Sequence, residues 1–157
     1  RAWWIRTRLK GALAMIRQLM AALGFIVMAA FASSALAADH AIAFARSYGG
    51  ELRIISVVDV PTEFYAEAPA AVEDLVRKAK GFVADVKKKA EGDGVKAETF
   101  VGEAEAYQAI NNLAREQKAN IIIMGSHGRT GLRRLLMGSV TEKVIGYAPC
   151  PVLVVKS

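Results

Sequence analysis

Apolar runs and helical stripes alternate along most of the chain. Leu52–Val58 reads LRIISVV, a β-branched run bounded by Gly50 and Asp59, and predicts a buried strand. From Ala70 to Glu91, Val72, Leu75, Val76, Ala79, Phe82, Val83, Val86 and Ala90 repeat on one stripe. Arg77, Lys78, Lys80, Asp85, Lys87 and Lys88 fall off it, as in an amphipathic helix with a solvated face. Gly92-Asp93-Gly94 predicts a turn, Val95–Val101 a strand, and Ala104 to about Gln117 a helix with Tyr107, Ile110, Leu113 and Ala114 inward. Ile121–Met124 and Val152–Val155 read as further strands, and Pro61 to Pro69 as a loop carrying Phe64 and Tyr65.

The run LMAALGFIVMAAFASSALAA, residues 19–38, has no charged side chain and follows a basic stretch. Its length just suits a membrane span, and Ala35-Leu36-Ala37 would suit the cleavage site of a signal peptide. The favoured reading is a first strand at Phe25–Met28 and a first helix over about Ser34–Tyr48. Ala37, Ala38, Ala41, Ile42 and Ala45 keep helical spacing there, and Gly49-Gly50 closes it. Strands alternating with helices then predict an α/β fold, an open doubly wound parallel sheet of five strands with helices on both faces. Residues 21–157 form the domain, and residues 1–20, with Trp3, Trp4, Ile5 and Leu9 among basic residues, are extra to it.

Charge changes this picture little. The net charge of +6 is concentrated at the start, where Arg1, Arg6, Arg8, Lys10 and Arg17 precede the first acid, Asp39. The remaining 16 basic and 15 acidic residues nearly cancel, which argues against a nucleic-acid surface. Cys150 is the one cysteine, and His40 and His127 are the two histidines, so neither a disulfide framework nor a conventional metal cluster is expected.

The candidate chemistry lies in Ile121–Val140, IIIMGSHGRTGLRRLLMGSV. A buried strand ends at Met124, and Gly125 and Gly128 follow at once. Ligands of open α/β sheets bind outside the carboxyl ends of strands, and glycines let backbone N–H groups approach a phosphate. Further on, Gly138 and Ser139 precede a helix whose buried stripe is Val140, Val144 and Tyr147. Ser139 and Glu142 have the spacing of a capping box, and the helix start offers an anion site at Gly138, Ser139 and Val140. Arg129 can add charge, while His127 reads as a solvent-facing loop residue and Cys150 as a structural thiol. The spacing is neither G-x-x-x-x-G-K-[ST] nor G-x-G-x-x-G.

From about Glu51 to Lys156 the chain resembles the universal stress proteins. Gly125, Gly128, Gly138 and Ser139 match that family's G-x2-G-x9-G-[ST] nucleotide motif, and APCPVLVV resembles its last strand. The resemblance implies a Rossmann-like fold of the adenine nucleotide alpha hydrolase type. It implies ATP, with or without magnesium, as ligand, with Val57 of ISVVDV contacting adenine through its backbone. It also implies a cytoplasmic homodimer joined through Val152–Val155 and acting in stress response. The pattern departs at one place: Ala29, or its neighbour Ala30, stands where the family carries an aspartate, and no acid precedes Asp39. A nucleotide-binding regulatory module is therefore expected, with no catalytic residue and no metal ligand assigned. The alternatives are a weak ATPase or autophosphorylating protein, and a membrane-anchored or exported interaction domain.

Overall fold

The computed structural model describes residues 26–31, 35–103, 105–126 and 137–156. Five strands, β1 (Ile26–Phe31), β2 (Glu51–Val57), β3 (Ala97–Gly102), β4 (Ile121–Gly125) and β5 (Val152–Val155), form one sheet of order β3-β2-β1-β4-β5. Every neighbouring pair is parallel. Five helices connect them: α1 (Ala35–Tyr48), α2 (Thr62–Glu67), α3 (Pro69–Gly92), α4 (Ala106–Glu116) and α5 (Ser139–Tyr147). This is the doubly wound α/β fold expected from the alternation of elements.

Both sheet faces are covered because successive strand residues point to opposite sides. Leu52 and Ile54 of β2, with Ile123 of β4, pack into a cluster with Ala38, Ala41 and Ile42 of α1 and Val83 and Val86 of α3. Ile55, Ile122 and Met124 pack on the other side with Ile110, Leu113 and Ala114 of α4 and Val144 of α5. Two buried faces explain why the strands read as unbroken apolar runs.

Several boundaries differ from the sequence expectation. β1 begins one residue later and runs on to Phe31, because an Ala-rich segment has no polar break to mark its end. The Pro61–Pro69 loop contains α2, and Pro69 itself opens α3, where its fixed φ and missing N–H cost nothing. α4 starts two residues later than expected, at Ala106, whose N–H donates to Asp59 Oδ2 at 3.0 Å. The LRIISVV strand also hides a buried cation. Arg53 is 8% exposed; its Nε donates to Gln117 Oε1 at 3.1 Å and its Nη2 to Glu51 Oε2 at 3.0 Å.

Three helices end by the same backbone device, an N–H reaching back five residues past a left-handed residue. The bonds are Gly50 to Ala45 O at 2.9 Å, Val95 to Ala90 O at 2.9 Å and Ala119 to Ala114 O at 2.9 Å. The left-handed residues are Gly49 (φ 66°), Gly94 (φ 76°) and Lys118 (φ 51°). Only the last carries a side chain. Lys118→Gly is therefore expected to stabilise the protein by about 0.5–1 kcal/mol, the relief of left-handed strain less the entropy of a more flexible unfolded chain. A urea-unfolding midpoint shifted upward checks this.

A second local conflict lies between α4 and α5. Tyr107 stacks near Tyr147 (centroids 5.7 Å), and Arg115 Nη2 donates to the Tyr147 carbonyl at 2.9 Å. Asn111 lies one turn from each, on the stripe of α4 that meets α5. It is 2% exposed, and neither Nδ2 nor Oδ1 has a hydrogen-bond partner among the described residues. A buried amide without partners costs about 1–3 kcal/mol. Asn111→Leu, with the same number and branching of heavy atoms, should raise the melting temperature by about 2–12 °C at that cost and this chain length.

Candidate functional site

The order of strands reverses at β1. The chain moves from β1 outward through β2 to β3, then crosses by α4 to β4 on the other edge of β1. Such a reversal opens a crevice at the carboxyl ends of the two central strands, because their outgoing connections run to opposite faces. Ala30 of β1 is the last residue paired to both neighbours, with Ile55 of β2 and Met124 of β4. Gly125 ends β4, and Val57 ends β2 on the opposite edge of β1. Two strand spacings separate those edges, about 10 Å.

The ends of the glycine loop are held together by its own backbone. Ser126 N–H donates to Val155 O at 3.0 Å, and Ser126 O accepts from Gly138 N–H at 3.0 Å. One turn into α5, Thr141 Oγ1 donates to Gly125 O at 3.2 Å, and Thr141 is buried. The start of α5 is thereby fixed against the end of β4, at the mouth of the crevice.

Here the expected capping box is corrected. Gly138, in extended conformation (φ −64°, ψ 143°), occupies the cap position, and α5 begins at Ser139 with no side-chain cap hydrogen bond. The reason is backbone pairing: Gly138 N–H is taken by Ser126 O, while Gly138 O accepts Glu142 N–H at 3.0 Å. That moves Ser139 and Glu142 one position too far along the helix for reciprocal capping. Ser139 is exposed and Val140 half-buried, so the hydroxyl and the first-turn N–H groups stand at the helix's positive end. This arrangement fits an anion.

Gly125, Gly138, Ser139 and Val140 are thus brought together, with Val57 across β1. Gly128, Arg129 and His127 lie outside the described residues. Ala29 pairs with Ile54 and Ile123, and Ala30 stands one row nearer the crevice. Sequence reasoning missed Thr141, Ser126 and Asp59, which position the site through non-local bonds. It also missed Gly102, whose replacement by alanine would put a Cβ 3.3 Å from Ala109 Cβ and 3.5 Å from a Val57 methyl.

One ion pair borders the site. Lys143 of α5 meets Glu105 at 3.0 Å and lies 4.8 Å from the Tyr107 ring centroid; the Glu105 hydrogen bond raises its pKa. Burial pushes the Cys150 thiol up, which keeps it protonated. Among the described residues no group of His, Cys, Asp and Glu could hold a metal ion, and no helix is long and apolar enough to cross a membrane.

The universal stress protein family matches residues 26–156. The chain belongs to that family. A universal stress protein of Methanocaldococcus jannaschii is 41% identical over 124 residues, covering 76% of this chain and 73% of the relative. Universal stress protein YxiE of Bacillus subtilis is 33% identical over 137 residues, covering 78% and 90%. Among solved structures, UspA from Lactobacillus plantarum superposes with a TM-score of 0.75 at 19% identity, covering 83% of this chain and 97% of its own. A universal stress protein in complex with cAMP reaches 0.63 at 22% identity, covering 83% and 96%. One from Archaeoglobus fulgidus in complex with dAMP reaches 0.57 at 21%, again covering 83% and 96%.

The tie at Thr141 tests how the family's loop is supported here. Thr141→Val keeps the shape but leaves the Gly125 carbonyl without its hydroxyl donor, and should cost about 1–2 kcal/mol. Thr141→Ser, which keeps the hydroxyl, should recover the part due to that bond. Denaturant midpoints at constant slope give both numbers.

Proposed function

We propose that this chain is a cytoplasmic adenine-nucleotide-binding regulatory module that acts in stress response as a homodimer. Residues 21–157 make up the module, and residues 1–20 are extra to it. ATP is the proposed ligand, with or without magnesium. Its phosphates and ribose are held by Gly125, Gly128, Arg129, Gly138, Ser139 and Val140, and its adenine by the backbone of Val57. The observation that carries the reading is the α5 N-terminus, free of any side-chain cap and fixed at the β1–β4 crevice. The complexes with cAMP and dAMP of two proteins sharing this fold support an adenine nucleotide as the class of ligand.

The dimer reading draws on the sheet edge. Among the described residues β5 pairs only with β4, its Leu153 is 41% exposed, and Tyr147 and Ile145 of the adjoining α5 are 62% and 44% exposed. An apolar edge strand is a template for pairing with a second copy.

Calorimetric titration with ATP tests the ligand. Ser139→Ala removes a hydroxyl donor to a charged oxygen and should weaken binding roughly tenfold, the effect of about 1.5 kcal/mol. The fold should survive, since Ser139 is exposed and makes no cap. Aspartate at the empty position, tested as Ala29→Asp and Ala30→Asp, should tighten binding in one of the two. A wild-type protein that gives no saturable heat with millimolar ATP would overturn the reading.

A further inference from the structure

On the rim of the sheet beyond β2, helix α2, the first turns of α3 and the turn after β3 enclose an open cleft of about 500 Å³. That volume falls in the range of small-molecule sites. It is separate from the crevice described above. Val57 packs with the α4–α5 cluster, whereas α3 covers the opposite face of the sheet.

The cleft has an apolar floor and divided charge. Pro69, Val72 and Val76 form the floor, and Val76, although on the apolar stripe of α3, stays half-buried. Tyr65, 38% exposed, forms one wall, and Glu103 lines the cleft beside it. Acidic Glu73 lines the cleft near the start of α3, and Arg77 and Lys80 line it farther along. Arg77 is engaged by Asp74. Glu73 and Lys80 have no ion-pair partner among the described residues. They stand seven residues apart on α3, about 10 Å along its axis, with Val76 between them.

We propose that this cleft binds a short hydrophobic peptide, its amino group at Glu73, its carboxylate at Lys80, and its apolar side chains on Val72 and Val76 beside Tyr65. Three extended residues span about 10 Å, which matches the axial offset of Glu73 and Lys80 on α3. A longer peptide would leave one terminus without its partner. A free amino acid would reach only one end.

NMR titration with the tripeptide Leu-Ala-Leu tests the proposal. Saturable amide shifts are expected around Tyr65, Val72, Val76 and Glu103 at millimolar peptide. Acetylating the amino end or amidating the carboxyl end should each weaken binding about twofold to fivefold, as for exposed ion pairs. Glu73→Gln should weaken the free peptide without affecting the acetylated one, and Lys80→Gln should do likewise for the free and amidated peptides. Val76→Arg should abolish binding with the far-ultraviolet circular dichroism and the ATP titration unchanged. The proposal is overturned by the absence of saturable shifts, by equal binding of the doubly blocked peptide, by binding that survives Val76→Arg, or by displacement of the peptide with ATP. Loss of ATP binding alone would sink the nucleotide reading and leave this one standing.

Discussion

A parallel strand with a partner on each edge has its backbone consumed along its whole length and offers chemistry only at its ends. β2, β1 and β4 are all such strands here, and β1 is the central one: Ile55 and Met124 flank Ala30 on either side, and the rest of the sheet grows outward from it. Because the connections from β1 and β4 diverge to opposite faces, the carboxyl ends of these strands cannot be roofed by their own helices. The crevice follows from strand order, before any site residue is chosen. What one side chain and one backbone bond add is fixation: the Thr141 hydroxyl on Gly125 O and the Gly138 N–H on Ser126 O hold α5 where its dipole meets the opening.

The sequence made the alternation of elements legible because both sheet faces are buried. Ile121–Met124 and Leu52–Val58 could hardly be solvent-facing, and the stripe of α3 could hardly be anything but a helix. The end of β4 was legible too, since Gly125 follows an all-aliphatic run without a break. Ends that depend on distant partners were not. β1 sits in an Ala-rich run whose composition does not change at Phe31, and α4 begins where Asp59, far away in sequence, accepts the Ala106 N–H. Ser139 and Glu142 gave a plausible local signal that lost to two backbone bonds through Gly138. Arg53 shows the same limit inside a strand, where its partner Gln117 comes from beyond the end of α4.

Local conflicts cluster on α4. Lys118, just past its end, adopts a left-handed conformation that glycine would adopt more cheaply, and Asn111 buries an amide with neither atom paired among the described residues. The other two helix ends of this type use Gly49 and Gly94. The α4 side of the sheet, which carries α5 with it, is thus held with less local agreement than the α1–α3 side. Its stability rests more on the apolar contacts of Ile110, Leu113 and Val144.

The bond between Ser126 and Gly138 also bears on how such a protein can change over generations. Ser126 and Gly138 are joined to each other, so the end of β4 and the start of α5 are tied directly. Lengthening a closed loop is cheap, about 0.6 kcal/mol for each doubling. Changes in the length or sequence of the segment between Ser126 and Gly138 therefore leave this direct tie between strand and helix in place.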